Sequence, residues 1–306
     1  MSDINSLFEN NYYEYCLFYL LGFFIFYFLD NYFFSTNESK TKVVQENEKE
    51  EIDKYKKIFK KEIEKMPHID KFYMVIGLGG VGSKVVMDLI RSGVKKIRVM
   101  DFDIVTLSSL NRHAFANRSD VGKYKTDLIK EYCKNARPDI IIEPITERLS
   151  ENNLEKMIIE NKPDIIIDCI DDLNTKADLH IFAYLNKLKI FSSMGAAGKC
   201  DPSTIRYSKF NEIKGDIMHK RLKYIIKKKL KEIKSDKINP DIPPNFDCVY
   251  SFEKNKRELA ELDEEQLNDI KNLKIMANGR IRSLPVFACM PSSFGHCLSL
   301  LSMKSD

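Results

Sequence analysis

Between an apolar run at residues 71–76 and a helical pattern at 83–91 the chain reads Val-Ile-Gly-Leu-Gly-Gly-Val-Gly-Ser, which gathers Gly77, Gly79 and Gly82 into one tight turn. A strand that passes through three glycines into a helix, with Val85, Val86, Leu89 and Ile90 at core spacing, opens a βαβ unit. Glycine lets the backbone approach a phosphate at the helix N-terminus, where free N–H groups and the dipole favour negative charge. A second strand at 97–100 ends in Asp101, about 20 residues past the glycines, where a ribose-hydroxyl partner usually sits. Up to this point a hydride-transferring enzyme fits equally well.

The residues that follow point elsewhere. After the Asp101-Phe-Asp103 turn come Asn111-Arg112 and then Lys125, and a nicotinamide enzyme needs no phosphate-neutralising cations there. Arginine offers a forked, always charged clamp for phosphate oxygens, and lysine a mobile charge that follows the negative charge gathering on departing pyrophosphate. The expectation is therefore a triphosphate site built for adenylyl transfer. Asp164-Ile-Ile-Ile-Asp168-Cys-Ile-Asp171-Asp172 brings carboxylates to the end of a buried strand, beside the crevice where open α/β sheets bind ligands. Mg²⁺ suits such a place, because it takes one or two carboxylates plus phosphate oxygens.

Strands at 140–143, 165–169 and 190–193 alternate with helices at 123–135, 151–161 and 175–186. The fold class that follows is α/β, a doubly wound, mainly parallel sheet of Rossmann-like type. Residues 38–68 are dense in Lys and Glu, with Ile52, Tyr55, Phe59, Ile63 and Met66 at helical spacing, and read as a linker running into an amphipathic helix. The segment 220–231 is a helix with a basic face and Leu222, Ile225, Ile226 and Leu230 turned inward.

Several blocks share a resemblance. Asp101-Phe-Asp-Ile-Val-Thr-Leu-Ser-Ser-Leu-Asn-Arg-His113, Val121-Gly-Lys-Tyr-Lys125, Ile167-Asp-Cys-Ile-Asp171, Cys200-Asp-Pro202 with the Ser-Ser-Met-Gly before it, Asp247-Cys-Val-Tyr-Ser-Phe-Glu253 and Met290-Pro resemble the tRNA threonylcarbamoyladenosine dehydratases. This is a branch of the ubiquitin-activating-enzyme-like superfamily, and the likeness covers residues 72–301. It implies an ATP-dependent homodimer that adenylates the carboxylate of N6-threonylcarbamoyladenosine, next to the anticodon of tRNA, and closes it to the cyclic form. It further implies that Asp101 holds the ribose, that Arg112 and Lys125 hold the phosphates, that Asp171 holds the metal, and that Asp103 and Asn111 support them. The basic face of 220–231 would then meet tRNA phosphates. The family usually places an arginine before the first strand, whereas the first arginine here is Arg91, so Lys54, Lys57 and Lys61 are the cations at hand. Alternatives from other classes are an adenylating enzyme for a ubiquitin-like or sulfur-carrier protein, a dinucleotide oxidoreductase and a non-catalytic scaffold.

The 306 residues carry 49 basic and 45 acidic side chains, a net charge of +4, so composition alone does not argue for nucleic acid. Cys16, Cys133, Cys169, Cys200, Cys248, Cys289 and Cys297 include no C-x-x-C pair, so no structural zinc is expected. Cys200 and Cys248 read as small buried residues rather than thioester formers. Residues 15–29 bear no charge within an aromatic stretch, which predicts an N-terminal transmembrane helix with the enzyme domain on the cytosolic side. The family likeness suggests the mitochondrial outer membrane, with the endoplasmic reticulum as the alternative. The expected organisation is a membrane anchor at 1–37, a charged linker and amphipathic helix at 38–70, and an ATP-binding adenylating domain at 71–306 whose C-terminal part serves substrate and dimer.

Overall fold

A computed structural model describes residues 68–233, 239, 243–254 and 286–304, all inside the compact unit Met66–Asp306. Its elements are β1 (Phe72–Ile76), α1 (Gly80–Arg91), β2 (Lys96–Met100), α2 (Lys125–Ala136), β3 (Ile141–Ile145), α3 (Leu154–Ile159), β4 (Ile165–Asp168), α4 (Leu173–Leu185), β5 (Ile190–Ser193), β6 (Ile205–Lys209), α5 (Ile217–Glu232), β7 (Asp247–Ser251) and α6 (Cys289–Met303). The strands form one seven-stranded sheet in the order β3-β2-β1-β4-β5-β7-β6. All pairs are parallel except β6 with β7.

β1 (Phe-Tyr-Met-Val-Ile) and β4 (Ile-Ile-Ile-Asp) are buried along their whole length, as central parallel strands covered on both faces must be. Tyr73 and Val75 enter one core with Val85 and Leu89 of α1, Ile129 of α2 and Phe294 and Leu298 of α6. Met74 and Ile76 face the other, with Met157 of α3, Ala177 of α4 and Leu222 and Ile226 of α5. The outcome is three layers. β3 pairs with β2 alone and contains Pro144, which an edge strand tolerates because a lost N–H leaves no ladder bond unmade.

Because β1 lies between β2 and β4, the chain reverses its direction of winding there, and the carboxyl ends of β1 and β4 flank the crevice. The membrane element of the expected fold class is corrected. Among the described residues no helix is long and apolar enough to cross a membrane. The longest, α5, has 16 residues including seven Lys and Arg, against the ~20 apolar residues a spanning helix needs. The uncharged run at 15–29 lies outside the described residues, and its 15 residues fall short of that span as well. The assignment to the mitochondrial outer membrane or endoplasmic reticulum rested on that helix and falls with it. Most of the expected amphipathic helix at 38–68 also lies outside the described residues.

Candidate functional site: a nucleotide crevice

The glycine turn is fixed by close approach. Gly77 has φ +86°, and a Cβ there would lie 2.8 Å from the Cys169 carbonyl oxygen, while one on Gly82 would lie 1.8 Å from the Gly77 oxygen. Both positions require glycine for the first turn of α1 to sit on the end of β1. Gly79 differs, since nothing lies within 4 Å of its Cβ position. It caps α1 with no side-chain hydrogen bond, which leaves the leading N–H groups of the helix to an anion.

Asp101 ties this turn to β2. Its Oδ2 accepts from the Leu78 N–H at 2.6 Å and its Oδ1 from the Asp103 N–H at 2.8 Å. Burial raises the Asp101 pKa, and Lys125 together with these N–H groups partly offsets the rise. Lys125, buried at the first position of α2, holds its Nζ 2.7 Å from Asp103 and 3.5 Å from Asp101. Arg112 lies on the other side of the turn. Its Cγ is 3.1 Å from a Cβ built on Gly80, and its Nη1 donates to the Ser108 carbonyl at 2.6 Å and to Asn111 Oδ1 at 2.9 Å. Asn111 is exposed and thereby orients the guanidinium. Burial lowers the pKa of neighbouring His113 to about 4, helped by the Lys125 charge, so its ring is neutral at physiological pH.

The carboxylates around β4 divide by position. Asp164 accepts from the Phe72 N–H at the opposite end of the sheet, and Asp172 caps α4 through Thr175. Asp168 is fully buried. Its Oδ2 meets Lys176 Nζ at 2.6 Å, His180 Nε2 at 2.7 Å and Ser192 Oγ at 2.8 Å. Burial alone would raise the Asp168 pKa, but Lys176 and His180 outweigh it and hold the carboxyl at about 2. Lys176 Nζ also donates to the Ile170 carbonyl, and the Ile170 N–H donates to Asp168 Oδ1, which fixes the peptide next to Asp171. Asp171 is left exposed, with no bond or ion pair among the described residues. Of the carboxylates at this end of β4 it is the one exposed where a cation could reach it. Among the described residues no cluster of three or more His, Cys, Asp or Glu could hold a metal, so an ion here would complete its shell with phosphate oxygens.

The motifs with least obvious chemistry are structural. Glu253 accepts from the N–H groups of Cys200 and Asp201, both at 2.9 Å, and thereby joins the Cys-Asp-Pro block to the end of β7. Pro291 packs over Gly80, its Cβ 2.9 Å from that glycine's Cβ position, and a Cβ on Gly295 would lie 2.9 Å from the Val81 carbonyl oxygen, so glycine there lets α6 pack closely on α1. One expectation needs correction. Cys200 is exposed, its Sγ donating to Glu253 at 3.5 Å, because the turn it occupies lies on the surface. Cys248 is buried as expected, and burial pushes its thiol well up.

With this geometry in place, the sequence matches the ThiF family model over residues 55–295. The chain belongs to the ThiF family. Relatives include tRNA threonylcarbamoyladenosine dehydratase 2 of Saccharomyces cerevisiae, 38% identical over 252 residues, 80% of this chain and 54% of that one. The tRNA threonylcarbamoyladenosine dehydratase of Haemophilus influenzae is 30% identical over 177 residues, 58% of this chain and 66% of that one. The chain spans about half the length of the yeast relative. The E. coli tRNA N6-threonylcarbamoyladenosine dehydratase in complex with ATP shares the fold with a TM-score of 0.61 at 23% identity, covering 78% of this chain and 86% of that one.

Proposed function

We propose that this ThiF-family chain is an ATP-dependent tRNA threonylcarbamoyladenosine dehydratase, which adenylates the carboxylate of N6-threonylcarbamoyladenosine next to the anticodon and cyclises it. The observation that carries the reading is the uncapped start of α1 with Arg112 on one side and the buried Lys125 on the other. The α1 N–H groups and the free arm of Arg112 receive phosphate oxygens. Lys125, held between Asp101 and Asp103, neutralises the pyrophosphate as it leaves. Asp101 accepts a ribose hydroxyl through the lone pairs its backbone bonds leave open. Asp171 would hold Mg²⁺, which when bound supplies charge neutralisation to the phosphates.

A carboxylate oxygen of the substrate attacks the α-phosphorus, the bond to pyrophosphate breaks, and the carbamoyl group of the same nucleoside then displaces AMP. Closure within one bound molecule needs positioning and no protein nucleophile. The same reading makes residues 71–306 the adenylating domain and the active form a homodimer. A second reading, activation of a carrier-protein C-terminus through a thioester, draws on the exposure of Cys200.

The test is turnover of tRNA bearing N6-threonylcarbamoyladenosine with ATP, read by nucleoside mass spectrometry under mild conditions that preserve the cyclic form. Arg112→Ala and Lys125→Ala should each lower the rate by roughly 10²–10³-fold. Loss of less than twofold in both would refute the reading.

A further inference from the structure

α5 carries seven Lys and Arg against one acid, Glu232 at its last position. A helix that is merely solvated usually interleaves acids at i,i+4. Here Lys220, Lys223 and Lys227 succeed one another down one side, and with Lys214, His219 and Tyr224 they line a groove of about 550 Å³. Lys229 points elsewhere, into an ion pair with Asp178. Lys220 and Lys223 occupy the first two turns, where the helix dipole disfavours cations. The capping Asp216 does not neutralise them, because it is buried and its oxygens are taken by Lys199 Nζ and the His219 N–H, both at 2.8 Å.

Two further observations point to a ligand. Tyr224 is 72% exposed between these cations, and His219 Nε2 is buried without a partner among the described residues. The opposite face is anchored by Leu222, Ile226 and Leu230 in the core, so the groove is held rigidly. Met218 Sδ lies 3.5 Å from the Cβ position of Gly195, in the loop after β5. The groove therefore begins on the edge of the sheet that carries the glycine turn.

We propose that the α5 groove docks a single-stranded stretch of the substrate RNA, with Lys214, Lys220, Lys223 and Lys227 on its phosphates and Tyr224 stacked on an unpaired base. The helical rise spaces the three α5 lysines by about 4.5 and 6 Å along the axis, so each arm reaches a different phosphate. An exposed aromatic ring among cations suits unpaired RNA, because every base has a face to stack and every linkage a charge. The assignment rests on the tRNA reading above and adds to it the surface that grips the loop while the modified adenosine enters the crevice.

Binding of the full chain to tRNA bearing N6-threonylcarbamoyladenosine, measured by fluorescence anisotropy across a salt series, tests this. The triple variant Lys220→Ala, Lys223→Ala, Lys227→Ala should flatten the slope of log Kd against log salt by about 2 to 3. Its Lys→Arg counterpart should keep the slope, which excludes misfolding as the cause. Tyr224→Ala should weaken binding ~10-fold at unchanged slope, and Tyr224→Phe should restore it. ATP binding by calorimetry should be equal in all four. If the wild type binds no tRNA, the tRNA reading itself fails. If the wild type binds and the triple alanine variant keeps its slope, the groove assignment is overturned while that reading stands. Loss of binding to phosphatidylserine vesicles with unchanged tRNA affinity would mark a lipid contact and overturn it too.

Discussion

Lys176→Met removes the one full positive charge that faces Asp168 and leaves a carboxylate sealed in the core. Lys176 and Asp168 are both 0% exposed at 2.6 Å, so water cannot replace the ammonium. The fall in the Asp168 pKa from 3.8 to about 2 corresponds to about 2.5 kcal/mol of stability at neutral pH. Stripping one partner from a buried pair costs about 3–5 kcal/mol, so a loss of ~3 kcal/mol is expected at pH 7.5. A carboxyl whose folded pKa lies below its unfolded value contributes stability that is present above about pH 4 and lost as the pH falls towards 2. In the variant, burial acts against Asp168 with only His180, Ser192 and the Ile170 N–H opposing it among the described residues, and the pKa moves up. The carboxyl then takes a proton more readily and ceases to be a lone charge, so the deficit should shrink on acidification. Urea unfolding of wild type and variant at pH 7.5 and 4.5 reads both effects. A deficit below 1 kcal/mol at pH 7.5, or one that is no smaller at pH 4.5, would refute the reasoning.

Two glycines of the turn should separate stability from binding. Gly82→Ala forces a methyl group to 1.8 Å from the Gly77 oxygen and should lower the unfolding free energy by about 3 kcal/mol, seen in thermal melts. Gly79→Ala meets nothing within 4 Å at an ordinary φ of −72°, so it should melt like the wild type yet bind ATP more weakly in calorimetry, since its methyl group occupies the anion's approach. Cys200→Ala and Cys248→Ala should each keep most of the cyclisation rate. Abolished turnover in a folded Cys200→Ala protein, with a trapped thioester, would favour the carrier-activating mechanism instead.

Much of the nucleotide half was legible because its residues are read locally. Apolar runs bounded by turns gave β1, β2, β4 and β5 to within a residue or so, and the glycine spacing located the crevice. The start of α1 was placed at 83 rather than 80 because Gly80 and Gly82 are poor helix formers; close packing under Arg112 and Pro291 overrides that propensity. The β6–β7 pair went unseen. β6 is a half-exposed edge strand, Ile-Arg-Tyr-Ser-Lys, without a continuous apolar run. α6, with Pro291, Gly295 and four serines, has no intrinsic reason to be helical, and forms because it docks on α1. The burial of Lys176 has no local signature and makes sense only once Asp168 lies opposite. Cys200 sits between Lys199 and Asp201 in the sequence, and nothing local showed that Glu253 would gather that turn at the surface.

The docking of α6 also imposes an order in time. The Ser299–Asp88 contact spans 211 positions, so when α1 leaves the ribosome the helix that covers it has yet to be synthesised. Until residues 289–303 arrive, the apolar side of α1 facing Phe294 and Leu298 is bare, and the glycine turn lacks the Pro291 cover over Gly80. Such distant pairing forms late. A nascent or truncated chain thus carries every residue proposed to bind phosphate without the support that shapes their site, and on that proposal nucleotide binding becomes a property of the finished domain alone.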